Sequence, residues 1–426
     1  MTNAIRFCAA GVILVFAAGF ARAGQKLTLE ESKRLALENN VRTKNSALES
    51  EAAREARHEA FTRYFASVSA AGTAFDARES MVEIATPGGT MGFLGSMKFG
   101  MVSAVQPVFA GGRIINGNRL AALGVAASDE NARLVRDEVL RTTEEGYWRV
   151  VALEEKARTV ERYEALLRRL LAQVEDAYAA GLVMENDVLK VRLKLSEVLL
   201  NRSKVANGRA LAAMAFCQQI GIAYDPALEL SDPLVADGPP DRYHVDHREA
   251  VKARPEFRLL EDSVRAEELK TRMTLGEYLP QAGVGVAGLW MKMDATKGRT
   301  NGVLFASLSI PLSGWWGGSH ALGERKAQEQ IARNGLKDSA DRLVLQMEKA
   351  WQDLADAYRQ VLLTQESKTQ AEENLKVNQD SYDSGLSNLS DLLEAQALLQ
   401  LANDQLTEAM AAYRVGLVYY LQITGQ

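Results

Sequence analysis

The chain has 426 residues, 47% hydrophobic and 25% charged, with a formal net charge of −5. That balance excludes general disorder and gives no electrostatic case for nucleic-acid binding, which needs a basic excess or stripe. Two cysteines exclude a disulfide framework, and four histidines leave little material for metal or acid–base chemistry.

Arg6, the apolar run from Phe7 to Phe20, and Ala21-Arg22-Ala23 have the layout of a secretory signal, so residues 1–23 are expected to be removed after Ala23. Cys8 would leave with that segment, and Cys217 would remain as a small buried hydrophobe. Leu27, Leu29, Leu35 and Leu37 then open a helical pattern. Ser67, Ser69 and Thr73 alternate with Val68, Ala70 and Ala74, which predicts a strand over about 67–76. A second strand is expected over about 98–107, without a clear division of its faces.

Proline punctuates the rest of the chain. The nine prolines leave the stretches 108–225 and 312–426 with none, and proline is the strongest helix breaker. Long helices are therefore expected over about 111–180 and 184–220 in the first stretch, and over about 317–384 and 387–424 in the second. Some 70 residues at 1.5 Å each make about 100 Å of helix. Such a helix needs partner helices along its length.

The two stretches belong to an internal repeat. Tyr178-Ala-Ala-Gly181-Leu182 recurs 204 residues later as Tyr382-Asp-Ser-Gly385-Leu386. Gln219-Ile-Gly221 answers Gln422-Ile-Thr-Gly425, Trp148 answers Trp351, and Tyr64 answers Tyr278. The first copy carries an insertion around 78–97. The expected organisation is a first repeat over 24–221, a connector over 222–247 that is rich in proline, and a second repeat over 248–426. The second repeat opens with a helical pattern from Val251 to Thr271 and has strands over about 281–291 and 302–311. There Val284, Val286, Gly288 and Trp290 alternate with Gly283, Gly285, Ala287 and Leu289. Leu304, Ala306 and Leu308 likewise alternate with Phe305, Ser307 and Ser309.

Two other patterns lead elsewhere. Gly283-Val-Gly285-Val-Ala-Gly288 has dinucleotide-loop spacing, but another strand follows it where that motif requires a helix. His244-x-x-His247 with Asp246 and Glu249 falls in the connector and reads as a solvated loop. No catalytic, cofactor or metal residue is assigned, and the chain is not expected to be an enzyme.

A four-stranded sheet in a membrane cannot leave its two edges unpaired, so it must close by association. Closed spanning barrels need about eight strands or more. At this point the sequence resembles the TolC-type outer-membrane efflux family. The motifs are Leu27-Thr-Leu29-Glu30-Glu31, Gln106-Pro107-Val-Phe109-Ala-Gly111-Gly112-Arg113, Tyr278-Leu279-Pro280-Gln281, and Ser381-Tyr382-Asp383-Ser384-Gly385 continuing to Asp391-Leu392-Leu393-Glu394-Ala395-Gln396. Phe65-Ala66 replaces the family's usual Leu-Pro before the first strand.

The resemblance implies an α+β membrane protein: a homotrimer with a twelve-strand outer-membrane barrel continuous with a periplasmic α-helical barrel. It implies outer-membrane lipid around that barrel, a periplasmic adaptor (membrane fusion) protein, and an inner-membrane RND or ABC transporter as partners. The implied function is passive conduction of small molecules out of the cell, with a type I protein-secretion conduit as the alternative. It places an entrance ring at Asp391 and Glu394, although acids after Asn388 are also ordinary capping chemistry. It assigns tip-closing contacts to Asp187, Tyr382 and Ser387. Ser387 stands where the family has a basic partner, which predicts a weakly locked tip. Trp315 and Trp316 are expected at the membrane interface.

Overall fold

The computed structural model describes residues 26–79, 81–93, 95–236, 238–293 and 297–426; the expected signal segment lies outside them. The chain opens with the two-residue β1 (Lys26–Leu27), α1 (Leu29–Asn39) and α2 (Val41–Thr62). Thr28 caps α1 by accepting from the Glu31 amide, and Asn40 ends α1 while capping α2 through the Arg42 amide. Next come β2 (Ser67–Asp76), β3 (Val82–Thr86), β4 (Gly89–Phe93) and β5 (Ser96–Ala110). The hairpin β3–β4 occupies the insertion seen in the sequence. Two long helices follow, α3 (Arg113–Ala179) and α4 (Glu185–Ile220). The connector carries β6 (Glu229–Leu230), and the second half runs α5 (His247–Ala253), α6 (Pro255–Glu277), β7 (Gln281–Met293), β8 (Arg299–Ser309), α7 (Trp315–Asp383) and α8 (Leu389–Thr424). The protein is thus a mostly helical α+β chain. No described helix is long and apolar enough to cross a membrane.

Helix lengths match between halves: α3 and α7 have 67 and 69 residues, and α4 and α8 have 36 each. At 1.5 Å per residue, α3 and α7 each extend about 100 Å. The sheet is antiparallel in the order β2-β5-β7-β8, so the halves join at β5–β7 and β2 and β8 are its edges. Register sorts its faces. Val68, Ala104, Val286 and Leu304 line up across the four strands, as do Ser69, Ser103, Ala287 and Val303. On the first face Val102, Val284, Val286 and Leu304 are exposed; on the second Ser103, Gly283 and Gly285 are buried. The Ser69 and Ser103 hydroxyls hydrogen-bond at 3.0 Å. The first face therefore exposes apolar side chains, and the second buries small residues on the two central strands. The Gly283-x-Gly285-x-x-Gly288 spacing lies inside β7, where Gly285 makes room for the Phe305 ring, whose Cζ is 2.5 Å from where a Cβ would stand.

The connector is strapped to the helices. β6 pairs with β1 in parallel. The fully buried Tyr147 donates to Asp232 Oδ2 at 2.6 Å, and that same oxygen accepts from the Leu29 amide at 2.7 Å. Burial, and then the Asp232 carboxylate, push the Tyr147 phenol pKa up. The expectation of a solvated loop at His244–His247 is corrected here. His247 is buried, with Nδ1 3.1 Å from Glu348 Oε2 and Nε2 3.1 Å from the Tyr420 hydroxyl. The His244 ring meets Trp351 edge-on at 4.6 Å. These contacts lie about 100 and 175 residues away in sequence, so local composition could not announce them. Cys217 is buried in the first half's core, and burial raises its thiol pKa.

Candidate functional site

At the end of the helices far from the sheet, two turns carry the residues singled out from sequence. Each long helix ends on a left-handed glycine, Gly181 with φ 74° and Gly385 with φ 72°. There the Leu182 amide reaches the Ala177 carbonyl at 2.9 Å, and the Leu386 amide the Ser381 carbonyl at 2.8 Å. The following helices start differently. Asn388 caps α8 by accepting from the Asp391 amide at 3.1 Å, whereas Met184 gives α4 no side-chain cap. Val188 and Val191 of the first hairpin are buried in one cluster with Leu389 and Leu392 of the second, and Tyr382 packs on its edge.

Asp391 and Glu394 are both exposed, with the buried Leu392 between them. They share one face of α8 at the i, i+3 spacing. Asp187 is half-buried, and Lys190 Nζ lies 3.2 Å from both its Oδ1 and the Ser390 hydroxyl of the other hairpin. Burial, followed by the charges of Asp187 and Asp383, raises the Tyr382 phenol pKa. Tyr382 and Asp187 are therefore neighbours, although no hydrogen bond joins them among the described residues. The Ser387 hydroxyl is buried without a hydrogen-bond partner in the described chain. Its amide reaches the Ser381 carbonyl at 3.3 Å. Ser387 brings no charge to this turn, and the nearby cation is Lys190 of the first hairpin. Its i, i+3 spacing from Asp187 was the available signal; its link to Ser390, 200 residues away, was not readable.

The two hairpins differ in how they are held. Arg192–Glu175 at 2.7 Å, Arg202–Glu164 at 3.0 Å and Arg209–Glu154 at 2.9 Å tie α4 to α3. Among the described residues no ion pair is found between α7 and α8. Burial on α3 continues to Val174, while no residue of α7 beyond Val361 is buried.

At the other end of the long helices, Trp315 Nε1 donates to the Tyr278 carbonyl at 2.8 Å, which fixes the strand-to-helix junction. Trp316 is 84% exposed. The first half adds Phe61, Tyr64 and Phe65 at its own junction, with Phe61 edge-on to both neighbours at 5.6 Å. Sequence reasoning missed this trio, which its place at a helix-to-strand boundary could have revealed. No group of three or more His, Cys, Asp or Glu residues among those described is placed to hold a metal.

The fold thus joins a four-stranded sheet with an exposed apolar face, through two aromatic-bearing junctions, to helices about 100 Å long. Residues 248–425 match the family described as outer membrane efflux protein. The second half of the chain is thus similar in sequence to that family. Three solved structures illustrate the shared fold. A membrane protein from Pseudomonas aeruginosa is 16% identical, with a TM-score of 0.80 over 93% of this chain and 90% of that one. The outer membrane protein VceC from Vibrio cholerae is 14% identical, with a TM-score of 0.79 over 93% and 96%. The open state of the Neisseria gonorrhoeae MtrE outer membrane channel is 15% identical, with a TM-score of 0.77 over 93% and 88%. No curated protein sequence matches this chain.

Proposed function

We propose that the protein is the outer-membrane exit duct of a tripartite efflux system, conducting small molecules passively from a periplasmic adaptor and an inner-membrane transporter to the outside. The observation that carries this reading is the four-stranded sheet, with two free edges and an apolar outer face, running directly into the long helices. Three copies would pair β2 of one with β8 of the next, giving twelve strands around a lumen lined by the serine-bearing face. Their helices would continue that lumen through the periplasm.

At the tip, three copies of Asp391 and Glu394 would bring six carboxylates towards one axis and favour cations. The Lys190 link between the hairpins and the Tyr382–Asp187 pair support a closed resting tip. The second hairpin is the one that opens, since α7 is free of buried residues and of cross-helix ion pairs there. Exposed Leu182, Met184 and Leu386 at the two turns offer an apolar surface for the adaptor. The family's description as efflux proteins favours small molecules over secreted protein as cargo.

The test is a fractionation followed by a recording. The protein is expected in the outer membrane as a trimer that unfolds only on heating, and to conduct ions when reconstituted in planar lipid bilayers. Recovery as a soluble periplasmic monomer without conductance would overturn the reading.

A further inference from the structure

We propose that Lys98 and Lys292 form a binding site for the phosphate of an outer-leaflet lipid headgroup. The inference rests on the outer-membrane barrel reading and adds a ligand to it. Lys98 of β5 and Lys292 of β7 are direct cross-strand partners, on the two central strands of the sheet. Both are exposed, and both lie on the outward face with Val102, Val286 and Leu304. Like charges directly opposite one another in a ladder are unfavourable unless an anion lies between them. Neither lysine side chain has an ion pair or hydrogen bond to a described residue. Asp76, the carboxylate on that face of β2, is paired in register with Ser96 and makes no ion pair with Lys98.

Height decides what the anion is. Lys292 is eleven steps along β7 from Gln281, which follows closely on the Tyr278 carbonyl that holds Trp315. At about 3.3 Å per residue and a tilt of about 40°, that is roughly 28 Å along the membrane normal. The apolar band of a barrel of this type is about 25 Å tall. With the tryptophans at the inner interface, the lysine pair stands at the opposite headgroup level. Trp290 lies two residues nearer the midplane, its ring 3.9 Å from where a Cβ on Gly100 would stand, as an interfacial aromatic does. Because the face points at lipid rather than into the lumen, the anion is a lipid phosphate. Two ammonium groups held by neighbouring strands bracket it with charge-assisted hydrogen bonds.

The test compares wild type with the double variant Lys98→Gln, Lys292→Gln, both purified as trimers in mild detergent. Native mass spectrometry counts retained lipid as diphosphoryl lipid A is titrated, with the same glycolipid stripped of phosphate as the second probe. Wild type is expected to retain the phosphorylated form at about tenfold lower concentration than the variant. The stripped form should bind both equally, Lys98→Arg with Lys292→Arg should keep the wild-type behaviour, and millimolar inorganic phosphate should not compete. Equal retention by wild type and the glutamine variant overturns the proposal, and so does displacement by inorganic phosphate, which would assign a free anion. Intact heat-modifiable trimers with equal retention refute the lysine pair alone. Failure of the wild type to enter the outer membrane refutes the barrel.

Discussion

Replacing Gly276 by alanine is expected to weaken the joint between the two halves of the chain. Gly276 lies at the end of α6, against the turn that leads from β5 into α3. A Cβ there falls 2.4 Å from the Gly111 carbonyl oxygen and 2.8 Å from Arg113 Cγ. The oxygen is backbone, and it cannot simply retreat. Gly111 is held at φ 62° between α3 and a strand whose register shifts between Pro107 and Phe109. Forcing a methyl into such a contact costs about 1–3 kcal/mol. Gly111→Ala is worse, because its Cβ falls 2.1 Å from the Gly276 oxygen and a left-handed alanine adds about 1–2 kcal/mol. Gly124→Ala is the control: it sits in the middle of α3 with nothing within 4 Å of its Cβ, and helix propensity alone should stabilise it by up to about 1 kcal/mol. The assay is loss of helical circular dichroism on heating the purified protein in detergent. The midpoints should fall in the order Gly124→Ala, wild type, Gly276→Ala, Gly111→Ala, with gaps of a few degrees. Equal midpoints for Gly276→Ala and Gly124→Ala would refute the reasoning.

Three further outcomes are expected. Lys190→Met removes the contact between hairpins and should raise single-channel conductance in lipid bilayers; unchanged conductance would discard the latch. Asp391→Asn with Glu394→Gln should move the reversal potential in a salt gradient towards zero by lowering cation preference, without changing trimer recovery. Glu164 is held below the usual carboxylate range, first by its hydrogen bond from Arg168 and then by the charges of Arg202 and Arg168. A depressed carboxylate contributes stability above the unfolded pKa of about 4.3, and that contribution is lost as pH falls. Glu164→Gln should therefore lower the thermal midpoint slightly at about pH 7, by a difference that shrinks as the pH falls below about 4.3, whereas a constant difference from neutral to acid pH would contradict the assignment.

What was legible in the sequence is what one-dimensional patterns encode. The absence of proline over 108–225 announces α3 and α4, and the Gly181 and Gly385 turns can be read because only glycine adopts their left-handed backbone cheaply. Strands β7 and β8 show their faces because large and small residues alternate along them. Strand β5 does not: its bulge between Pro107 and Phe109 shifts the register, and valine and serine occur on both sides. Its faces become clear only from pairing, through Ser103 opposite Ser69. The other omissions share one physical cause. Lys190 finds Ser390, His247 finds Glu348 and Tyr420, and Lys98 finds Lys292 only once distant segments are packed. Each meaning belongs to a pair, and neither partner signals it alone.

The edges of the sheet have a consequence for assembly. Strands β2 and β8 have ten and eleven residues, and each directs about half of its backbone groups outward. In hydrocarbon each unpaired group costs several kcal/mol, so a lone protomer in the bilayer would carry a penalty of tens of kcal/mol, more than the 5–15 kcal/mol that typically holds a domain together. The helices face no such barrier. Their outer surfaces carry ion pairs such as Arg192–Glu175 and Arg342–Asp338, which are compatible with water. On the barrel reading, the helical hairpins fold in the periplasm, while closure of the sheet waits for β2 to meet β8 of the next copy. Insertion and trimer formation are then one event. Adding a proline at the middle of edge strand β2, at Ala71, should therefore abolish outer-membrane insertion and heat-modifiable trimers together, while the soluble fraction keeps its helical circular dichroism. Monomers stably inserted in the outer membrane would contradict this coupling.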